Sequence, residues 1–204
     1  MKKTIRAIFS DLDGVIRLFP KKRDEQIEKQ FKIESGLISR TAFHPSLLDP
    51  AITGKVTDET WRQSIAESLT KFIDQHTAKE VVDHWTNFSG ELDTNTFALI
   101  KSLGEKYKLG LITNGTTRLP HDLKVLAIDR SFQTIFNSSS IGFFKPDPRI
   151  FQYALKNFAV EPSESVFIDD SKSHVESAKS LGFKTHHYQT FGDLHEFVRS
   201  EGLL

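Results

Sequence analysis

The chain has 204 residues, 38 % hydrophobic and 26 % charged, which suits one large domain or a domain carrying an insertion and excludes a disordered chain. Lys plus Arg and Asp plus Glu each number 27, so a net charge of zero gives no long-range pull toward nucleic acid or an anionic membrane. With no cysteine, disulfides and thiolate metal sites are excluded, and no stretch nears the ~20 apolar residues of a membrane span. The N-terminal apolar run is too short for a signal peptide, and a cytoplasmic protein is expected. The first apolar run, 5–10, reads as a buried strand and ends in Asp11-Leu12-Asp13-Gly14. Residues 17–92 then read as helix after helix, over 24–34, 37–43, 58–72 and 78–88. Trp61, Ile65, Leu69 and Phe72 make one apolar face there, and Thr77 to Glu80 has the form of a capping box. From 95 onward helices (95–106, 119–126, 148–158, 174–181, 193–199) alternate with strands (108–112, 134–138, 165–168, 183–188). Asp147 before Pro148 reads as a helix N-cap, and Gly182 as a helix end.

Strands alternating with helices imply a parallel sheet covered on both faces, a three-layer α/β Rossmann-like core. The expected division is a discontinuous core of 1–16 and 93–204, with a helical insertion over 17–92. The 17 phenylalanines read as core filling.

In open parallel sheets, ligands gather at the C-terminal strand ends. Three predicted ends carry oxygen-rich residues: Asp11 and Asp13, Thr113 and Asn114, and Asp169 and Asp170. Two carboxylates beside one buried strand repel each other and are costly to desolvate unless a cation or a reaction needs them. Lys145, before Pro146, supplies a cation held in a stiff loop. Oxygen-only ligands favour Mg²⁺, which together with Lys145 would neutralise a phosphate monoester so that an acidic nucleophile can approach. Thr113 and nearby backbone N–H groups would hold the remaining phosphate oxygens.

The four motifs Asp-Leu-Asp-Gly-Val, Ile-Thr-Asn-Gly, Gly-Phe-Phe-Lys-Pro-Asp-Pro and Phe-Ile-Asp-Asp-Ser, in this order, resemble those of the haloacid dehalogenase superfamily. The resemblance implies Asp11 as nucleophile, forming an aspartyl-phosphate, and Asp13 as the acid that protonates the leaving oxygen and later activates water. It implies that Thr113 binds phosphate with Asn114 beside it, and that Lys145 stabilises nucleophile and phosphate. Mg²⁺ would sit on Asp11, the Asp13 carbonyl and Asp170, with Asp169 acting through water. The insertion over 17–92 would be a cap. True dehalogenases resemble this pattern but lack the second Asp, so Asp13 favours phosphate chemistry. Two positions depart from the pattern: Phe144, where a basic residue is common, and His174, where a small amide is common. Neither is expected to touch the chemistry.

The expected activity is thus a Mg²⁺-dependent phosphatase acting on a small phosphorylated metabolite, with a sugar phosphate favoured. The alternatives are a sugar phosphomutase on the same scaffold and, further off, a phospho-receiver or a non-catalytic phosphate-binding relative. Receivers place Lys-Pro last in a chain of about 120 residues, whereas here Asp169-Asp170 follows Lys145-Pro146. Within the insertion His44, Lys55 and Trp85 are candidates for substrate contact, although packing or surface roles suit each of them, and Trp61 reads as core. His186-His187 is expected to put one ring on each face of a strand rather than to bind metal.

Overall fold

The computed structural model describes residues 4–204. Five parallel strands form the sheet: β1 (Ala7–Ser10), β4 (Lys108–Thr113), β5 (Thr134–Asn137), β6 (Ser165–Asp169) and β7 (Lys184–His187), in the order β5-β4-β1-β6-β7. β1 is central, with Ser10 level with Leu111 of β4 and Ile168 of β6. The chain leaves β1 toward β4 on one side and returns to β6 on the other, so the strand order reverses beside Asp11, where a parallel sheet opens a crevice.

Side chains alternate along each strand, so the two faces build separate cores. Ile8, Leu111, Val166 and Ile168 pack under α6 (Thr94–Leu103), α7 (Leu119–Val125) and α11 (Phe191–Ser200). Ala7, Phe9, Ile112 and Phe167 pack against α9 (Pro148–Phe158) and α10 (Lys172–Ser180). This second face holds a ring cluster: Phe9 stacks on Phe158 at 5.0 Å and meets Phe136 and Phe183 at 6.0 and 6.1 Å. The cluster explains a glycine inside β4, because a Cβ on Gly110 would lie 2.8 Å from the Phe9 ring.

Between the strands lies a helical block with its own core: α1 (Arg23–Gln30), α2 (Leu37–Ala42), α3 (Pro45–Ile52), α4 (Asp58–Leu69) and α5 (Gln75–Thr86). Its neck is a two-stranded antiparallel ribbon, β2 (Arg17–Leu18) and β3 (Glu91–Leu92), that the sequence reading missed because each strand is only two residues long. α3 was also missed; it carries Pro45 at its start and Pro50 inside, both of which read as breakers. The α5 cap is Asp74, whose carboxylate accepts from the Thr77 N–H, so the expected capping box at Thr77 is displaced by three residues. α4 ends at Leu69, which leaves Phe72 exposed rather than on the apolar face of Trp61, Ile65 and Leu69. Asp147 caps α9 as expected, accepting from the Arg149 N–H at 2.9 Å, and Gly142 and Asn137 bound the short helix α8 (Ser138–Ile141). Among the described residues no helix is long and apolar enough to cross a membrane.

Candidate active site

The predicted residues of three strand ends and one loop meet at the C-terminal edge of the sheet. Asp11 follows β1, Thr113 ends β4, and Asp169 ends β6 with Asp170 beside it. Lys145 reaches in from the loop before α9, and its Nζ lies 2.7 Å from Asp11 Oδ1 and 2.7 Å from Asp169 Oδ2. All three are enclosed, with 6 %, 1 % and 0 % exposure for Asp11, Lys145 and Asp169. An uncompensated charge at such depth costs several kcal/mol or more, so each member depends on the others.

The lysine loop is held at its backbone. Asn114 accepts from the Lys145 N–H at 2.8 Å and donates to the Lys145 carbonyl at 2.9 Å. Both polar ends of the Asn114 side chain are thereby occupied. Its amide thereby orients the lysine loop. Thr113 is buried as a residue, and its hydroxyl makes no hydrogen bond among the described residues.

His174 departs from expectation. It lies on the first turns of α10 with Nδ1 at 3.1 Å from both carboxylate oxygens of Asp169. Asp169 also accepts from the Ser171 N–H at 2.7 Å. Burial opposes ionisation of Asp169, yet Lys145 and His174 together hold its carboxyl below the usual range. Burial acts against the Lys145 ammonium as well, but Asp11 and Asp169 raise it, so it stays charged. Asp11 differs: burial pushes its carboxyl up to about 8, against the pull of Lys145 and with the repulsion of Asp169 and Asp13. One lysine thus serves two buried acids, and Asp11 is the member left short of positive charge.

The donor set fits a hard divalent cation. Burial and Asp169 also raise the Asp170 carboxyl, with Lys145 and His174 opposing. It presses on Gly14, where a Cβ would lie 2.0 Å from Asp170 Oδ2 and where φ is +80°, so only glycine is accommodated. Asp11, the adjoining Asp13 carbonyl and Asp170 are oxygen donors with surplus negative charge, the ligand chemistry of Mg²⁺. Asp11, Asp169 and His174 also gather within 4.8 Å, but the ring nitrogen and Lys145 already occupy Asp169.

Asp13 faces the other way. Arg17 grips its carboxylate in a bidentate pair, at 2.5 Å from Nε and 2.9 Å from Nη2. Arg17 in turn reaches Asp122 at 3.2 Å, and Arg118 meets Asp122 at 2.8 Å. This network borders a cavity of about 710 Å³ between the sheet edge and the helical block, lined by Asp13, Asn114 and Thr116 below and by Arg23, Trp61, Arg62 and Trp85 above. Of the three candidate contacts in the insertion, only Trp85 lines this cavity; His44 caps α3 and Lys55 is exposed. Trp61, expected in the core, is buried yet also borders it. The arginines were not singled out from sequence, since their partners are remote: Arg17 and Asp122 are 105 residues apart. His186 stacks on Phe197 at 4.6 Å, while His187 Nε2 lies 2.9 Å from the Asp170 carbonyl, so the two rings part to opposite faces.

A model of haloacid dehalogenase-like hydrolases matches residues 43–187. Mouse acyl-CoA dehydrogenase family member 10 is 28 % identical over 191 residues, 90 % of this chain but 18 % of that protein. The D-ribitol-5-phosphate phosphatase of Bacteroides thetaiotaomicron is 25 % identical over 139 residues, 65 % of this chain and 66 % of that one. A family enzyme of the same organism, solved with magnesium and inorganic phosphate, superposes with a TM-score of 0.72 at 22 % identity, covering 91 % of this chain and 94 % of that one. Dehalogenases are among the matches as well. The chain therefore spans less than a fifth of the mouse protein and about two thirds of the ribitol-phosphate phosphatase. With most of its length matched by the family model and its fold shared, the chain belongs to the haloacid dehalogenase-like hydrolases, and phosphatases are among its relatives.

Proposed function

We propose that this hydrolase is a Mg²⁺-dependent phosphatase acting on a small phosphorylated metabolite. The observation that carries the reading is Asp11, a buried carboxylate held 2.7 Å from Lys145, with a second aspartate two residues along the same strand exit. In the first step Asp11 Oδ attacks phosphorus, the ester P–O bond breaks, and the leaving oxygen takes a proton from Asp13. In the second, Asp13 takes a proton from water, the oxygen attacks phosphorus, and the aspartyl P–O bond breaks to return Asp11 and free phosphate. Bound Mg²⁺ would supply positive charge to Asp11 and to the phosphate oxygens. Lys145, fixed by Asn114 and Asp169, adds its own positive charge to the same groups, and the free Thr113 hydroxyl donates to a phosphate oxygen.

Asp13 must leave Arg17 to reach the leaving oxygen, and Asp122 keeps Arg17 in place while it does so. Residues 17–92 are read as the cap of the 1–16 and 93–204 core. A sugar or polyol phosphate suits this site, in keeping with the ribitol-phosphate relative. Asp11→Asn is expected to lower turnover of p-nitrophenyl phosphate by roughly 10⁴-fold with the fold retained. Wild-type turnover by that variant would show the nucleophile to be misassigned.

A further inference from the structure

Four arginines line the cavity, and three are already matched to carboxylates: Arg17 with Asp13 and Asp122, Arg118 with Asp122, and Arg62 with Asp58. Arg23 is not. Among the described residues its guanidinium makes no hydrogen bond and no ion pair. Two acids of the same helix are committed elsewhere: Asp24 accepts from the Trp85 indole at 2.9 Å and from the Ser39 hydroxyl at 2.8 Å, and Glu28 accepts from the Gly36 and Ile38 N–H groups. Glu25, the next acid along, is exposed to solvent.

The half-buried Arg23 guanidinium sits instead among three aromatic rings, with Cζ at 5.5 Å from Phe19, 5.7 Å from Trp85 and 5.4 Å from Phe88. Ring faces fix its plane and hold off water, yet they satisfy none of its five donors. Burial accordingly lowers its pKa, with Asp24 opposing. A guanidinium so fixed binds carboxylate or phosphate in a bidentate fashion. The cavity is also larger than a triose phosphate needs, since pockets of 300–1,000 Å³ hold ligands of drug size.

We propose that Arg23 recognises a second anionic group on the substrate, so that the preferred substrate is a phosphomonoester whose leaving alcohol ends in a carboxylate or a second phosphate. This rests on the phosphatase reading and narrows its substrate class. Arg23 is the first residue of α1, so the helical block supplies the selection and the sheet edge supplies the chemistry.

The test compares matched probes in Mg²⁺: sorbitol 6-phosphate, with a neutral far end; 6-phosphogluconate, with a carboxylate there; and sorbitol 1,6-bisphosphate, with a phosphate. In the wild-type protein kcat/KM for at least one doubly anionic probe should exceed that for sorbitol 6-phosphate by at least tenfold, and the higher of the two identifies the anion. In Arg23→Gln the ratio should fall toward one, mainly through KM, with Arg23→Lys intermediate. Taking the ratio within each variant cancels any general loss of activity. Equal values in the wild type, or a ratio unchanged in Arg23→Gln, would overturn the assignment of Arg23. Turnover of p-nitrophenyl phosphate tests the hydrolase reading separately. If that reading fails, the same ratios are read as dissociation constants by calorimetry, and the same outcomes decide.

Discussion

The strand-end cluster and the cavity above it are neighbouring charged regions built by opposite rules. At the sheet edge, Asp11, Lys145 and Asp169 are enclosed, mutually dependent and held at 2.7 Å by strands and a clamped loop. In the cavity, arginines and acids meet in partly exposed pairs, and among the described residues the Arg23 guanidinium pairs with no carboxylate. The buried region has more acid than base and invites a cation. The open one leaves a cation uncommitted and invites an anion. Under the proposed reading, the chemistry is set in the sheet and recognition is placed where side chains from the sheet edge and the helical block converge.

The sharpest way to break this contrast is to remove the shared cation. Lys145→Met leaves Asp11 and Asp169 buried without it, and breaking such a pair costs roughly 3–5 kcal/mol. Denaturant unfolding should show that loss, and adding Asp169→Asn to Lys145→Met should recover part of it, since one buried charge fewer is then left unpaired. A loss below about 1 kcal/mol would mean that the cluster is as soft as a surface pair.

A second test uses pH. The Asp11 carboxyl, raised to about 8 from its ordinary 3.8, keeps its proton across most of the neutral range in the metal-free protein. A cation must displace that proton. Mg²⁺ affinity, measured by calorimetry, should therefore tighten as pH rises, by up to about tenfold per unit below 8, and flatten above it. Calorimetry in buffers of different ionisation enthalpy should report proton release at pH 6 and little at pH 9. An affinity that stays flat between pH 6 and 8 would mean that Asp11 is already ionised and that the cluster is not short of positive charge.

The two regions also differed in how far the sequence revealed them. Asp11, Thr113, Lys145, Asp169 and Asp170 each sit in a run of residues whose local pattern marks a strand end or a stiff loop, so their meeting place followed from parallel-sheet topology. Arg23 lies in a charge run that looks like a solvated helix start, and nothing local tells that Trp85 and Phe88 fold back over it. Asp24 and Trp85 bond across 61 residues with no shared periodicity. His174 was visible as a helix residue, but its bond to Asp169 depends on the turn between β6 and α10. Asn114 lies directly after β4, where its run of residues put it, but its bonds to the Lys145 backbone cross 31 residues and leave no local mark.

The smallest expected effect concerns the seam between the regions. Asp58, at the start of α4, accepts from the Thr116 hydroxyl at 2.7 Å and pairs with Arg62, while its N–H donates to Thr117 at 2.9 Å. Thr116 and Thr117 follow directly on the Thr113-Asn114-Gly115 turn, so this contact ties the helical block to the loop that holds Lys145. Asp58→Asn keeps the shape and an acceptor for Thr116, but it removes the charge that serves Arg62 and the helix N-terminus. A partly exposed pair and a helix-terminal charge are each worth up to about 1 kcal/mol. Unfolding should register a loss of that size, and steady-state kinetics should show KM raised by a small factor with kcat nearly unchanged, because Asp11, Lys145 and Asp169 are untouched. A fall in kcat comparable to that of Asp11→Asn would mean that the seam, and not the sheet alone, fixes the reacting groups.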